Sequence, residues 1–347
     1  YAHSRSYPLL QPLVLASLGD LVGQQTGRLF FPALYLCLLL LIFQTSRRLG
    51  GSPHWSLLCA SGLACTPAWF DVGAGAIDSG YADLFLAYAI ALGAAGLLLG
   101  DAALLFWACL LLPWIKPEGV VYAAIMASIL MVGDDRRCFR GAVTGLGLAL
   151  LVWWPLRARL SFSPGIWWYP IGVVALLLVA RTILQRWRST RVRVAMLASG
   201  AFACLLLVIL LVPGLEESSD PLLRDFATNL AGIGDRLMVL PALLLGFAKA
   251  LFTLKAVGLV FALLVPASAL MRGREDLGSR RLWWFVGISL LFLLFAILLS
   301  PERDLQHELA SRLSRLLLQL VPAVWILVAR SMILPRDEEP GSESVAS

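Results

Sequence analysis

Charge is scarce in this chain: Asp, Glu, Lys and Arg make up 14% of its 347 residues, against roughly 25% in an ordinary soluble domain. That scarcity, with 59% hydrophobic residues and a mean hydropathy of +0.82, excludes a water-soluble globule and a disordered chain. Strand-length alternation of apolar and polar residues is missing too, which excludes a transmembrane β-barrel. Paired cysteine spacings are absent: Cys37, Cys59, Cys65, Cys109, Cys138 and Cys204 lie far apart, and all but Cys138 fall in apolar runs. They read as small hydrophobes, not as a metal or redox centre. The net charge of +6 is dispersed between apolar runs and gives no basic patch for a nucleic acid. The sequence begins at Tyr1 and not at Met, shows no signal- or transit-peptide pattern, and is expected to be missing an N-terminal piece.

Long apolar runs fill the space left by these absences. Runs of ~17–25 apolar residues can cross a bilayer as helices, which satisfy their own backbone. They are expected at 29–46, 54–70, 84–99, 102–115, 119–133, 139–156, 166–183, 193–213, 256–271, 282–299 and 313–331, about eleven in all, with 102–115 short for a crossing. Residues 9–25 and 225–254 mix apolar and polar faces and read as interfacial helices. The expected fold is an all-α polytopic bundle over 1–334 with a polar cytoplasmic tail at 335–347.

Basic residues orient the spans. Arg47, Arg48, Arg136, Arg137, Arg140, the run Arg181–Arg193 and Arg272–Arg281 share one face if 225–254 does not cross, and that face is placed in the cytoplasm. The outer face is then the richer in reactive side chains.

Four blocks on that face carry candidate chemistry. Tyr1–Pro12 contains His3, Tyr7, Pro8 and Pro12, which fit either an interfacial helix entry or a site wall. Asp71–Asp83 brings Asp71, Asp78 and Asp83 to the start of a span. Asp83 there is either a helix cap or an ionisable functional group at the membrane edge. Trp114–Gly119 holds Lys116 and Glu118 around a Pro-Gly break, which suits a turn lining a polar cavity or a simple Lys–Glu pair. His307–Pro322 sets Arg312 and Arg315 three apart on one helix face, with Gln319 a turn deeper, for lipid phosphate or for headgroup anchoring. Arg157 and Arg159 add two further outer cations.

Tyr7-Pro8 with Pro12, Gly80-Tyr81-Ala82-Asp83, Lys116-Pro117-Glu118-Gly119 and Arg315-Leu-Leu-Leu-Gln-Leu-Val-Pro322 occur in an order that resembles the bacterial GT-C membrane glycosyltransferases. Those enzymes are similar to protein O-mannosyltransferases, aminoarabinose transferases and oligosaccharyltransferases. The resemblance implies a GT-C-like bundle in the inner membrane, part of the cell-envelope machinery, with its site on the periplasmic face. It implies a polyprenyl-phosphate sugar as donor and a lipid, glycan or protein as acceptor. By resemblance, Asp83 and Asp78 are catalytic carboxylates, and Lys116, Arg312 and Arg315 bind the donor phosphate. His3, Tyr7, Glu118, Arg157 and Arg159 are further cavity residues. A divalent metal, Mg or Mn, on Asp83 is left open, because Ser6 and Ser314 stand where the family often has acidic residues. The family's principal acid/base carboxylate lies upstream of the Tyr-Pro block and so before Tyr1.

Two other readings compete. A lipid-linked-oligosaccharide flippase or other transporter would use the same cations, but shows internal repeats or paired broken helices. No repeat is evident here. An O-antigen polymerase or ligase would be a transferase with a different site.

Overall fold

A computed structural model describes residues 29–70, 83–133, 135–161, 177–183, 240–252, 257–271, 276–298 and 313–333, with a few isolated positions. Among the described residues the chain is helical and has no strand. The helices are α1 (Phe30–Arg48), α2 (Pro53–Ala64), α3 (Asp83–Leu99), α4 (Ala102–Ile115), α5 (Pro117–Val132) and α6 (Arg136–Ser161). After them come α7 (Leu240–Phe252), α8 (Gly258–Ala262), α9 (Leu264–Met271), α10 (Leu277–Leu298) and α11 (Leu313–Met332).

Three of these helices, α1, α10 and Arg315–Met332 of α11, are long and apolar enough to cross a membrane. Helix α10 shows how its apolar residues are distributed. Trp284, Ile288, Leu291 and Phe295 recur at helical spacing and are exposed, while Leu282, Phe285, Val286 and Leu293 on the other side are buried. The helix therefore buries one apolar face in protein and offers another outward.

Helix α3 is the axis of the bundle. Leu84, Leu86, Ala87, Ala89, Ile90, Ala91, Ala94, Ala95 and Leu97 are all essentially inaccessible, so it is apolar all round and enclosed all round. It packs against α1, α4, α10 and α11. Its many small residues permit that crowding, since close helix approach in lipid rests on small side chains. The same device joins α6 to α4. A Cβ added at Gly141 or Gly145 would meet the carbonyl oxygens of Ala102 and Phe106, so only glycine allows the two parallel helices to lie this close.

Several expected spans have different bounds. The 54–70 run breaks at Cys65, giving the 12-residue α2 and a short 3-10 turn at Pro67–Trp69. At ~1.5 Å per residue α2 is too short for a crossing. Thr66 is extended before Pro67, as the residue before a proline prefers. The 256–271 run divides into α8 and α9 around Leu263, because Pro266 has no amide hydrogen for the carbonyl of Ala262. Within 225–254, the described part is α7, an apolar helix of 13 residues. The run 193–213, most of 9–25, most of 166–183 and the tail 335–347 lie outside the described residues.

Ion pairs sort to the two ends of the bundle. Arg48–Asp101, Arg281–Asp135 and Arg330–Asp276 lie at one end, and Asp83 with Lys116 and Arg315 at the other. Arg48, Arg136, Arg137, Arg140, Arg181 and Arg281 thus share an end, as the alternation of basic loops requires.

Candidate functional site

Lys116 sits between two helices, closing α4 and opening α5 with an extended backbone (φ −150°, ψ 154°). Pro117 takes the first position of α5, where its fixed φ suits the helix and its missing amide costs nothing. Gly119 donates its amide to the Lys116 carbonyl at 2.9 Å. A Cβ on Gly119 would overlap the carbonyl of Leu112, so the Lys-Pro-Glu-Gly sequence encodes one tight reversal. The reversal aims the Lys116 side chain across the bundle toward α3.

Asp83 opens α3 and is 1% exposed. Its Oδ1 accepts from Lys116 Nζ at 2.5 Å and from Gln319 Nε2 at 2.8 Å. Its Oδ2 accepts from Arg315 Nε at 3.1 Å and Nη2 at 2.8 Å. Asp83 does stand in the first turn of α3, where the helix dipole favours a carboxylate, and its oxygens serve side chains from two other parts of the chain. Asp101 shows what capping looks like here, accepting from the amides of Ala103 and Leu104.

Gln319 is one turn below Arg315 on α11, so both reach Asp83 from the same face. Its Oε1 accepts from the Tyr122 hydroxyl at 3.3 Å, which fixes the amide's orientation and extends the network into α5. Tyr122 is fully buried, with the rings of Phe285 and Phe292 beside it at 6.4 and 5.8 Å between centroids. Sequence reading did not single out Tyr122. Its available signal was spacing: Glu118 and Tyr122 are four apart on α5, with a lone polar tip inside an apolar span.

The structure brings Asp83, Lys116, Arg315 and Gln319 together from three blocks separated by up to 236 residues. Lys116 pairs with Asp83 and not with Glu118, which corrects the Lys–Glu alternative. Glu118 stands in the first turn of α5, and its Oε2 is buried with no partner among the described residues. Arg157 and Arg159 belong to the C-terminal part of α6. His3, Tyr7, Asp78 and Arg312 lie outside the described residues.

A metal on Asp83 does not fit these surroundings. Both carboxylate oxygens already accept from donors, two of them cationic, and a divalent ion would have to displace an ammonium and a guanidinium. Among the described residues no three His, Cys, Asp or Glu side chains gather as ligands. What the cluster does hold is two cations on one carboxylate. Lys116 and Arg315 meet on Asp83 at the edge of an apolar bundle, and Lys116 is 8% and Arg315 27% exposed. Such a group stabilises an anion that approaches it, since charge interactions strengthen where water is thin. Comparison with models of known families, with curated proteins and with solved structures gives no match for this chain.

Proposed function

We propose that this chain is a GT-C-type glycosyltransferase of about eleven spans that takes its sugar from a polyprenyl phosphate. In this reading the Asp83 end faces the periplasm and the arginine-rich end the cytoplasm. The observation that carries the proposal is the joint hold of Lys116 and Arg315 on Asp83. Three of the four blocks that resemble the transferases thereby meet at one point, where one carboxylate orders two cations from different helices.

The chemistry assigns each group a task. An acceptor hydroxyl or amide attacks the anomeric carbon, the bond from that carbon to the phosphate oxygen breaks, and the lipid phosphate leaves with the electron pair. Lys116 and Arg315 stabilise the charge that grows on the phosphate. Asp83, with its lone pairs committed to donors, positions these cations. The acceptor's proton goes to a carboxylate. Glu118 is a described carboxylate at this end with an uncommitted oxygen.

Turnover on purified full-length protein tests the reading. Release of polyprenyl phosphate from a panel of polyprenyl-phosphate sugars should fall ~10²–10³-fold per folded molecule in Lys116→Ala, the usual loss when one preorganised donor to a developing anion is removed. Near-wild-type turnover in folded Lys116→Ala would defeat the assignment.

A further inference from the structure

The end of the bundle remote from Asp83 contains two buried arginines, Arg181 and Arg281, at 7% and 6% exposure. Arg281 projects from α10 and gives its Nη1 to Asp135 Oδ2 at 3.2 Å. Its other edge, Nε and Nη2, is buried and has no hydrogen-bond partner among the described residues. A buried guanidinium with two of its three nitrogens unanswered is costly, and native structures rarely leave such donors without a purpose. The Nε–Nη2 edge is the fork that matches two oxygens of one phosphate.

Gly133 lies directly against that fork. A Cβ built there would lie 3.4 Å from Nη2 and 3.9 Å from Nε of Arg281. Its backbone (φ −79°, ψ 166°) is one any residue adopts, so conformation does not require glycine here. Arg181 closes the place from another direction, donating Nη1 to the Leu130 carbonyl at 3.3 Å with its guanidinium 4.0 Å above the Phe139 ring. Asp135 is already shared between Arg281 and the Cys138 amide, at 3.0 Å from the latter. Arg136, Arg137 and Arg140 are exposed beside it on the first turns of α6 and add to the local positive field.

We propose that Arg281, backed by Arg181 and lying beside Gly133, forms a binding site for a phosphate group at this end of the bundle. The phosphate is carried by an anionic lipid headgroup or arrives as the free ion. The site is separate from the Asp83 cluster and does not depend on the transferase reading.

Thermal unfolding of the detergent-purified full chain tests it with two probes. One arm compares inorganic phosphate with chloride at equal ionic strength. The other compares mixed micelles containing phosphatidic acid with micelles containing phosphatidylcholine. The wild type should gain Tm in at least one arm: a gain with inorganic phosphate assigns the free ion, and a gain confined to phosphatidic acid assigns the headgroup. Arg281→Gln should weaken the apparent affinity about 10- to 100-fold, the worth of a charge-assisted contact. Gly133→Leu keeps every charge and sets a side chain against the fork, and should weaken it as much, so the test survives if Arg281→Gln fails to fold. No gain for the wild type with either probe overturns the proposal. So does an equal gain in the wild type and Gly133→Leu.

Discussion

Asp83→Asn is the most informative single change, because it keeps the side chain's size and removes one charge from a clamp of known geometry. The carboxylate now answers four donor contacts, two on each oxygen. An asparagine has one acceptor oxygen, and its amide nitrogen would face cationic N–H groups. Lys116, 8% exposed, is then left charged in an apolar setting without a counter-ion. Removing one partner of a buried pair costs ~3–5 kcal/mol, most of it the penalty on the stranded charge. Arg315, at 27% exposure, can regain water and contributes less. The double variant Asp83→Asn/Lys116→Met removes that stranded charge, so it should be less destabilised than Asp83→Asn alone. A coupling of ~2 kcal/mol is expected, within the usual range for residues in one network. Reversible denaturant unfolding in detergent micelles measures all four corners of the cycle. If Asp83→Asn costs under ~0.5 kcal/mol, or the two changes simply add, the clamp is not what holds α3, α5 and α11 together at this end.

Other outcomes follow from the packing and from the opposite end. Gly145→Leu drives a side chain into the Phe106 carbonyl and should destabilise by ~1–3 kcal/mol or more. Gly287→Ala, on an open part of α10 with nothing within 4 Å, should be neutral or gain up to ~1 kcal/mol. Equal effects in the two would refute the close-packing account of α6 on α4. Burial raises the carboxyls of Asp135 and Asp276. The amides of Cys138 and Ser279, with Arg281 and Arg330, outweigh it and hold both below the ordinary 3.8. Their stabilisation is therefore complete above the unfolded value and lost as pH falls through the lower folded value. A Tm profile should be flat above about pH 5 and decline below about pH 4, with a shallower decline in Asp135→Asn. An unchanged slope in that variant would remove Asp135 from the account.

The sequence alone determined that the chain is helical and suited to lipid, because continuous apolar runs leave the backbone no other way to satisfy its hydrogen bonds. Most described helix positions followed from the same runs. Boundaries failed where proline chemistry intervened, at Pro67 and Pro266, since hydropathy does not register a missing amide hydrogen. The alternation of arginine-rich loops also assigned Arg48, Arg181 and Arg281 to a common end, because that grouping depends only on the parity of crossings. Lys116, Arg315 and Gln319 were legible as polar groups at span ends. Their partner was not: Lys116 had Glu118 two residues away and Asp83 thirty-three away, and only the packing of α3 between α4 and α11 decided for Asp83. Tyr122 was hidden for a related reason, since a tyrosine inside an apolar helix looks like core until the facing helix supplies Gln319. The unpartnered fork of Arg281 is likewise a tertiary fact. In sequence it is one of many arginines in a basic loop, and only burial against Gly133 distinguishes a guanidinium that water can satisfy from one that needs an anion.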